Sequence, residues 1–139
     1  MSQPTNPDPT GTLTGLWMPI MVSWYRKTLP LLDRLGIRVD TSKLRSWVLA
    51  TRVISFAGDK GGSGFTSCYG PDGDQRLFIE YSQELEALER ERTVAHEFAH
   101  VISIAGGRGP NHHEVWKKIV EAMGYPEEAA HTWIDRNWF

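Results

Sequence analysis

Leu13, Leu16, Trp17, Ile20, Met21 and Trp24 recur at helical spacing, which predicts an N-terminal helix with one apolar face. Pro19 and Pro30 leave two readings of it: a start near Pro19, or a kinked helix. Gly36 ends this unit, and Thr41 to Arg45 read as a second short helix. The character then changes. Trp47 to Phe56, with Val48, Val53, Ile54 and Phe56, reads as a strand, and the glycine-rich stretch Gly58 to Gly64 as a flexible turn. Phe65 to Tyr69 predicts a second strand, Pro71-Asp72-Gly73 a tight turn and Leu77 to Tyr81 a third strand. From Gln83 to about Ile104 the helical period returns, with Leu85, Leu88, Ala95, Phe98, Ala99 and Ile102 on one stripe, closed by Gly106-Gly107. Asn111 can cap the next helix, with Glu114 three residues on, and Gly124 and Pro126 end it after Met123. A last short helix runs from about Pro126 to Arg136. The order is an N-terminal helix, a small three-stranded antiparallel sheet, a long helix and two C-terminal helices: an α+β domain.

The length of 139 residues suits one domain, expected over residues 12–139 behind a polar, proline-bearing tail at residues 1–11 that reads as disordered. No apolar run approaches the length of a membrane span, and the N-terminus lacks the pattern of a secretory signal. The single cysteine, Cys68, excludes a disulfide framework and a four-cysteine zinc ribbon within these residues, and a cytoplasmic, reducing compartment fits. Net charge is −2, but it is unevenly spread. Trp24 to Lys60 holds eight basic side chains against three acidic ones, whereas Gly61 onward holds seven against thirteen. That asymmetry reads either as a basic face for nucleic acid or as solvated helix surface. Any DNA association is expected to be weak, salt-sensitive and carried by Arg26 to Arg52, with Trp24, Tyr25 and Trp47 as candidate stacking partners.

His96-Glu97-Phe98-Ala99-His100 is an H-E-x-x-H motif inside the most strongly periodic helix. Residues at i and i+4 lie one above the other, so both imidazoles can reach one metal ion. Glu97 projects about 100° around the helix from His96, beside such an ion, where it suits a water better than the metal. The competing reading is a pair of helix histidines at the edge of a core. Catalytic zinc sites use three protein ligands, and the downstream candidates for the third are His112, His113, Glu114, Glu121 and His131. The metzincin spacing is excluded, because Ser103 and Gly106 stand where it needs glycine and histidine. Advancing about 100° per residue from His112 puts Trp116 near 40°, Ile119 near 340°, Val120 near 80° and Met123 near 20°. His112 thus shares the apolar face, His113 borders it, and Glu114 and Glu121 point away.

This arrangement resembles the SprT-like (Spartan-type) zinc metalloproteases: His96-Glu97-Phe98-Ala99-His100, a short glycine-rich loop, then His112 four residues before Trp116 and a closing Met123-Gly124. The strand Leu77 to Tyr81 running into Ser82 fits the same layout, and the resemblance covers roughly Arg76 to Gly124. Many members carry glycine after the third histidine, where this chain has His113. The resemblance implies a zincin-like fold and Zn²⁺ held by His96, His100 and His112, with Glu97 as general base acting on a protein or peptide substrate. It further implies that Leu77 to Tyr81 borders the cleft and adds substrate as an extra strand. Some members degrade DNA-crosslinked proteins, which makes DNA-associated proteins a candidate substrate class. Tyr125, His113 and His131 are candidate second oxyanion donors. Two other readings remain: a non-catalytic zinc-stabilised structural or regulatory module, and an ImmA/IrrE-like regulatory protease. Glu97 argues against the first, since a structural site has no need of it. The second lacks a well-placed carboxylate as third ligand.

Overall fold

The computed structural model describes residues 11–37, 41–58, 63–69, 76–106 and 114–131. The disordered-tail expectation and the capping role of Asn111 fall outside these residues. Helix α1 spans Thr12–Arg34 and runs through both Pro19 and Pro30, so it does not start at Pro19. Gly36 closes it in the left-handed region at φ 68°, and Ile37 N–H reaches back to Leu32 C=O at 3.0 Å. That is the Schellman closure a glycine permits without a Cβ penalty. Its buried stripe is Thr14, Met21, Trp24, Thr28 and Leu32, while Leu16 and Ile20 of the expected apolar face are exposed.

Helix α2, Thr41–Ala50, is longer than expected, and strand β1 is confined to Thr51–Phe56. Trp47 and Val48 therefore reach the core from a helix rather than from a strand. Strand β2 is Gly64–Tyr69 and β3 is Arg76–Ser82. The sheet is mixed rather than antiparallel, in the order β1-β3-β2. β1 pairs parallel with β3, Val53 opposite Ile79, and β2 pairs antiparallel with β3, Thr66 opposite Ile79. The physical reason lies in β3 itself. Leu77, Phe78 and Ile79 are all buried, so both faces of this strand are covered and it takes the centre. Placing Leu77 to Tyr81 at the cleft edge is accordingly overturned: both sides of that strand are already laddered, and β2 is the edge. At the other edge α1 covers β1, where the Thr14 hydroxyl accepts Val53 N–H at 3.0 Å.

Helix α3, Ala87–Ala105, crosses the sheet face. Ala95, Phe98, Ala99 and Ile102 are fully buried as the stripe predicts, but the helix begins at Ala87 rather than Gln83, and Leu88 in its first turn is 67% exposed. Helix α4, Glu114–Met123, turns Trp116, Ile119, Val120 and Met123 inward, as its phase requires. Gly124, at φ 109°, ends it, and α5, Pro126–His131, folds back against it. Trp24 lies between α3 and the end of α4, 5.9 Å from the Phe98 ring and 5.6 Å from the Tyr125 ring. Among the described residues no helix is long and apolar enough to cross a membrane.

Candidate metal centre

Helix geometry brings His96 and His100 onto one face of α3, with ring centroids 5.2 Å apart. Trp116, in the first turn of α4, lies against both imidazoles. Its ring is 4.7 Å edge-on from His96 and 5.4 Å from His100 in a stacked orientation, and its indole N–H donates to the His96 carbonyl at 3.3 Å. An indole here limits the rotations open to both rings. Two residues before α4 stands His112, which with His113 lies outside the described residues. No group of three His, Cys, Asp or Glu able to hold a metal occurs among the described residues. These therefore provide two of the three expected donors, both imidazoles of the kind zinc takes, with a carboxylate beside them. That donor chemistry fits the ion.

Glu97 is buried, and strand β2 holds it in place. The Thr66 hydroxyl donates to Glu97 Oε1 at 2.6 Å, with the Glu97 carbonyl at 3.1 Å as a second acceptor. The other oxygen, Oε2, lies 3.8 Å from His96 Nε2. Burial raises the Glu97 carboxyl above its ordinary value, and the charge of Glu128 adds to this, against the pull of His96 and Thr66. Gly64 makes the close approach of β2 to α3 feasible. A Cβ there would stand 2.5 Å from Thr93 Cγ2, 3.0 Å from the Glu80 carbonyl and 3.3 Å from Glu97 Cγ.

On its other edge the His96 ring meets α5. Nδ1 lies 2.8 Å from Glu128 Oε1, and Arg92 Nη2 lies 3.2 Å from Glu128 Oε2. Burial alone would raise the Glu128 carboxyl, but the His96 contact and Arg92 outweigh it and hold it below the ordinary range. His96, Glu97 and Glu128 share a cavity of about 300 Å³ with Gly64 and Thr93. The cleft thus opens between the start of β2 and the first half of α3.

Three further expectations meet the structure here. Tyr125 is unsuited to an oxyanion role, since its hydroxyl donates to Glu91 Oε1 at 2.5 Å and burial, then that bond, push it above the ordinary phenol range. Trp24 and Trp47 are buried and Tyr25 is half-buried against the core, so neither tryptophan can stack on a base. Arg26, Lys27, Arg34, Lys43, Arg45 and Arg52 are all exposed. Sequence reasoning missed Thr66, Gly64, Arg92 and Glu128 entirely. Nothing in their local pattern marks them, because each acts across a long stretch of chain.

No family model, no curated protein and no solved structure matches this chain.

Proposed function

We propose that the chain is a zinc-dependent endopeptidase of the SprT-like kind, built on a zincin-like version of its α+β fold and working in a cytoplasmic, reducing compartment. The observation that carries this reading is the Glu97 carboxylate, which Thr66 holds through Oε1 while Oε2 lies 3.8 Å from His96 Nε2, the first histidine of the pair. His96, His100 and His112 would hold Zn²⁺, which when bound would supply Lewis acidity to polarise a carbonyl and make water acidic near neutral pH. Oε1 is committed to Thr66, so Oε2 of Glu97 accepts the proton of the attacking water and then delivers it to the leaving amine. A carboxyl raised by burial is matched to that exchange better than an ordinary one. The outer edge of β2, which pairs with no further strand among the described residues, binds the substrate backbone as an added strand in place of β3, which favours loose sequence preference. DNA-associated proteins as substrates rest on the resemblance, with the exposed basic side chains as the compatible feature of this chain.

Protein purified without added zinc should carry about one Zn²⁺ and cleave unstructured protein. Glu97→Gln should keep the zinc and lose about 10²–10⁴-fold in rate. His112→Ala should weaken zinc binding far more than His113→Ala. Zinc bound without peptidase activity in the wild type would make this a structural module instead. Full activity in Glu97→Gln would refute the mechanism.

A further inference from the structure

We propose that Glu128, backed by Arg92, is the residue that positions His96 for metal binding, fixing both the tautomer and the rotation of its ring. The inference rests on the zinc reading above and adds a residue to it. A carboxylate only accepts hydrogen bonds, so at 2.8 Å it is Nδ1 of His96 that carries the proton. The lone pair of a neutral ring then sits on Nε2, the nitrogen that lies 3.8 Å from Glu97 Oε2. The two ring nitrogens point away from one another, so Glu128 holds the edge of the ring turned from Glu97. That makes it an orienting partner and not a fourth ligand. Arg92 stands one turn before His96 on the same helix and takes the second oxygen of Glu128 at 3.2 Å. With both oxygens engaged, the carboxylate cannot swing, and the Trp116 ring bounds the imidazole from a third direction. A histidine ordered in this way binds metal without first having to choose a tautomer and rotamer, and such outer partners are typically worth about 10–100-fold in affinity.

Two readouts test this. The first is zinc affinity by chelator competition at one pH for wild type, Glu128→Ala, Glu128→Gln and His96→Ala. Glu128→Ala should bind zinc about 10–100-fold more weakly than wild type. Glu128→Gln should lose less, because its amide oxygen can still accept from Nδ1. His96→Ala should lose more than either. The second readout is the His96 tautomer in the metal-free protein, by long-range ¹⁵N–¹H correlation. Wild type and Glu128→Gln should show Nδ1–H, and Glu128→Ala should shift toward Nε2–H, a retention by the amide variant that a merely structural role for Glu128 would not give. Thermal melts of each metal-free variant check folding, and if Glu128→Ala fails to fold, Glu128→Gln and Arg92→Ala carry both measurements. Affinity within twofold of wild type in Glu128→Ala overturns the proposal, as does Nε2–H in the wild type. A loss in Glu128→Gln as large as in His96→Ala overturns it as well, by making Glu128 a ligand. A wild type that takes no zinc sinks the zinc reading, whereas the tautomer still shows whether Glu128 orients the ring.

Discussion

Gly64 is the position where a single methyl group tests how the edge strand meets the motif helix. An alanine Cβ there would lie 2.5 Å from Thr93 Cγ2 and 3.0 Å from the Glu80 carbonyl. Carbon atoms prefer separations of about 3.5–4.0 Å, so something must move. Thr93 is β-branched and stiff within a helix, and Glu80 lies on β3, which β2 and β1 ladder from both sides. Neither gives way cheaply, and overpacking of this kind costs about 1–3 kcal/mol. For a domain of this length each kcal/mol moves Tm by roughly 3–6 °C, so Gly64→Ala should melt at least about 3 °C lower than wild type. Thr93→Ser deletes the nearest atom. Adding it to Gly64→Ala should recover part of the loss, with a coupling of at least about 0.5 kcal/mol in the four-protein cycle. Recovery stays partial, because the contacts to the Glu80 carbonyl and, at 3.3 Å, to Glu97 Cγ remain. The assay is a set of thermal melts on metal-free protein. An unchanged Tm in Gly64→Ala, or two effects that simply add, would refute the close packing of β2 on α3 and with it the support of Glu97 by Thr66.

Two further outcomes are expected. Burial holds the Glu97 carboxyl above its ordinary 4.5, so the folded state binds that proton more tightly than the unfolded chain does. Stability from this group is fully present below the unfolded value and is lost as pH rises through the folded one. Metal-free Glu97→Gln should therefore gain on wild type in melts taken from about pH 4 to about pH 7, and a difference flat with pH would contradict the burial argument. In fluorescence titrations with DNA, any binding should fall linearly in log affinity with log salt, at about −0.9 per duplex phosphate contact, because the exposed cations and not the buried tryptophans carry it. Absence of binding at low salt would remove nucleic acid from the partners of this chain.

What the sequence by itself determined is local. Period and spacing were enough to put His96, Glu97 and His100 on one helix, to turn Trp116, Ile119, Val120 and Met123 of α4 inward, and to end α1 and α4 at Gly36 and Gly124. Each of those depends on hydrogen bonds and side-chain neighbours within about one turn, which the order of residues encodes directly. The sheet was half legible. An uninterrupted Leu77-Phe78-Ile79 run is the mark of a strand covered on both faces, and it was available to be read as the centre of the sheet. The glycine-rich Gly58 to Gly64 stretch left the pairing partner open, because such a segment does not commit the chain to a hairpin. Only the tertiary structure decided that β2 is the edge strand, that Thr66 reaches Glu97 across 31 residues, and that Glu128 reaches His96 across 32. Those contacts arise when the packing of α3 on the sheet and of α5 on α4 closes long loops of chain. No periodicity records which residues meet there, since the energy that selects them comes from burying the whole core and not from any pattern near either partner.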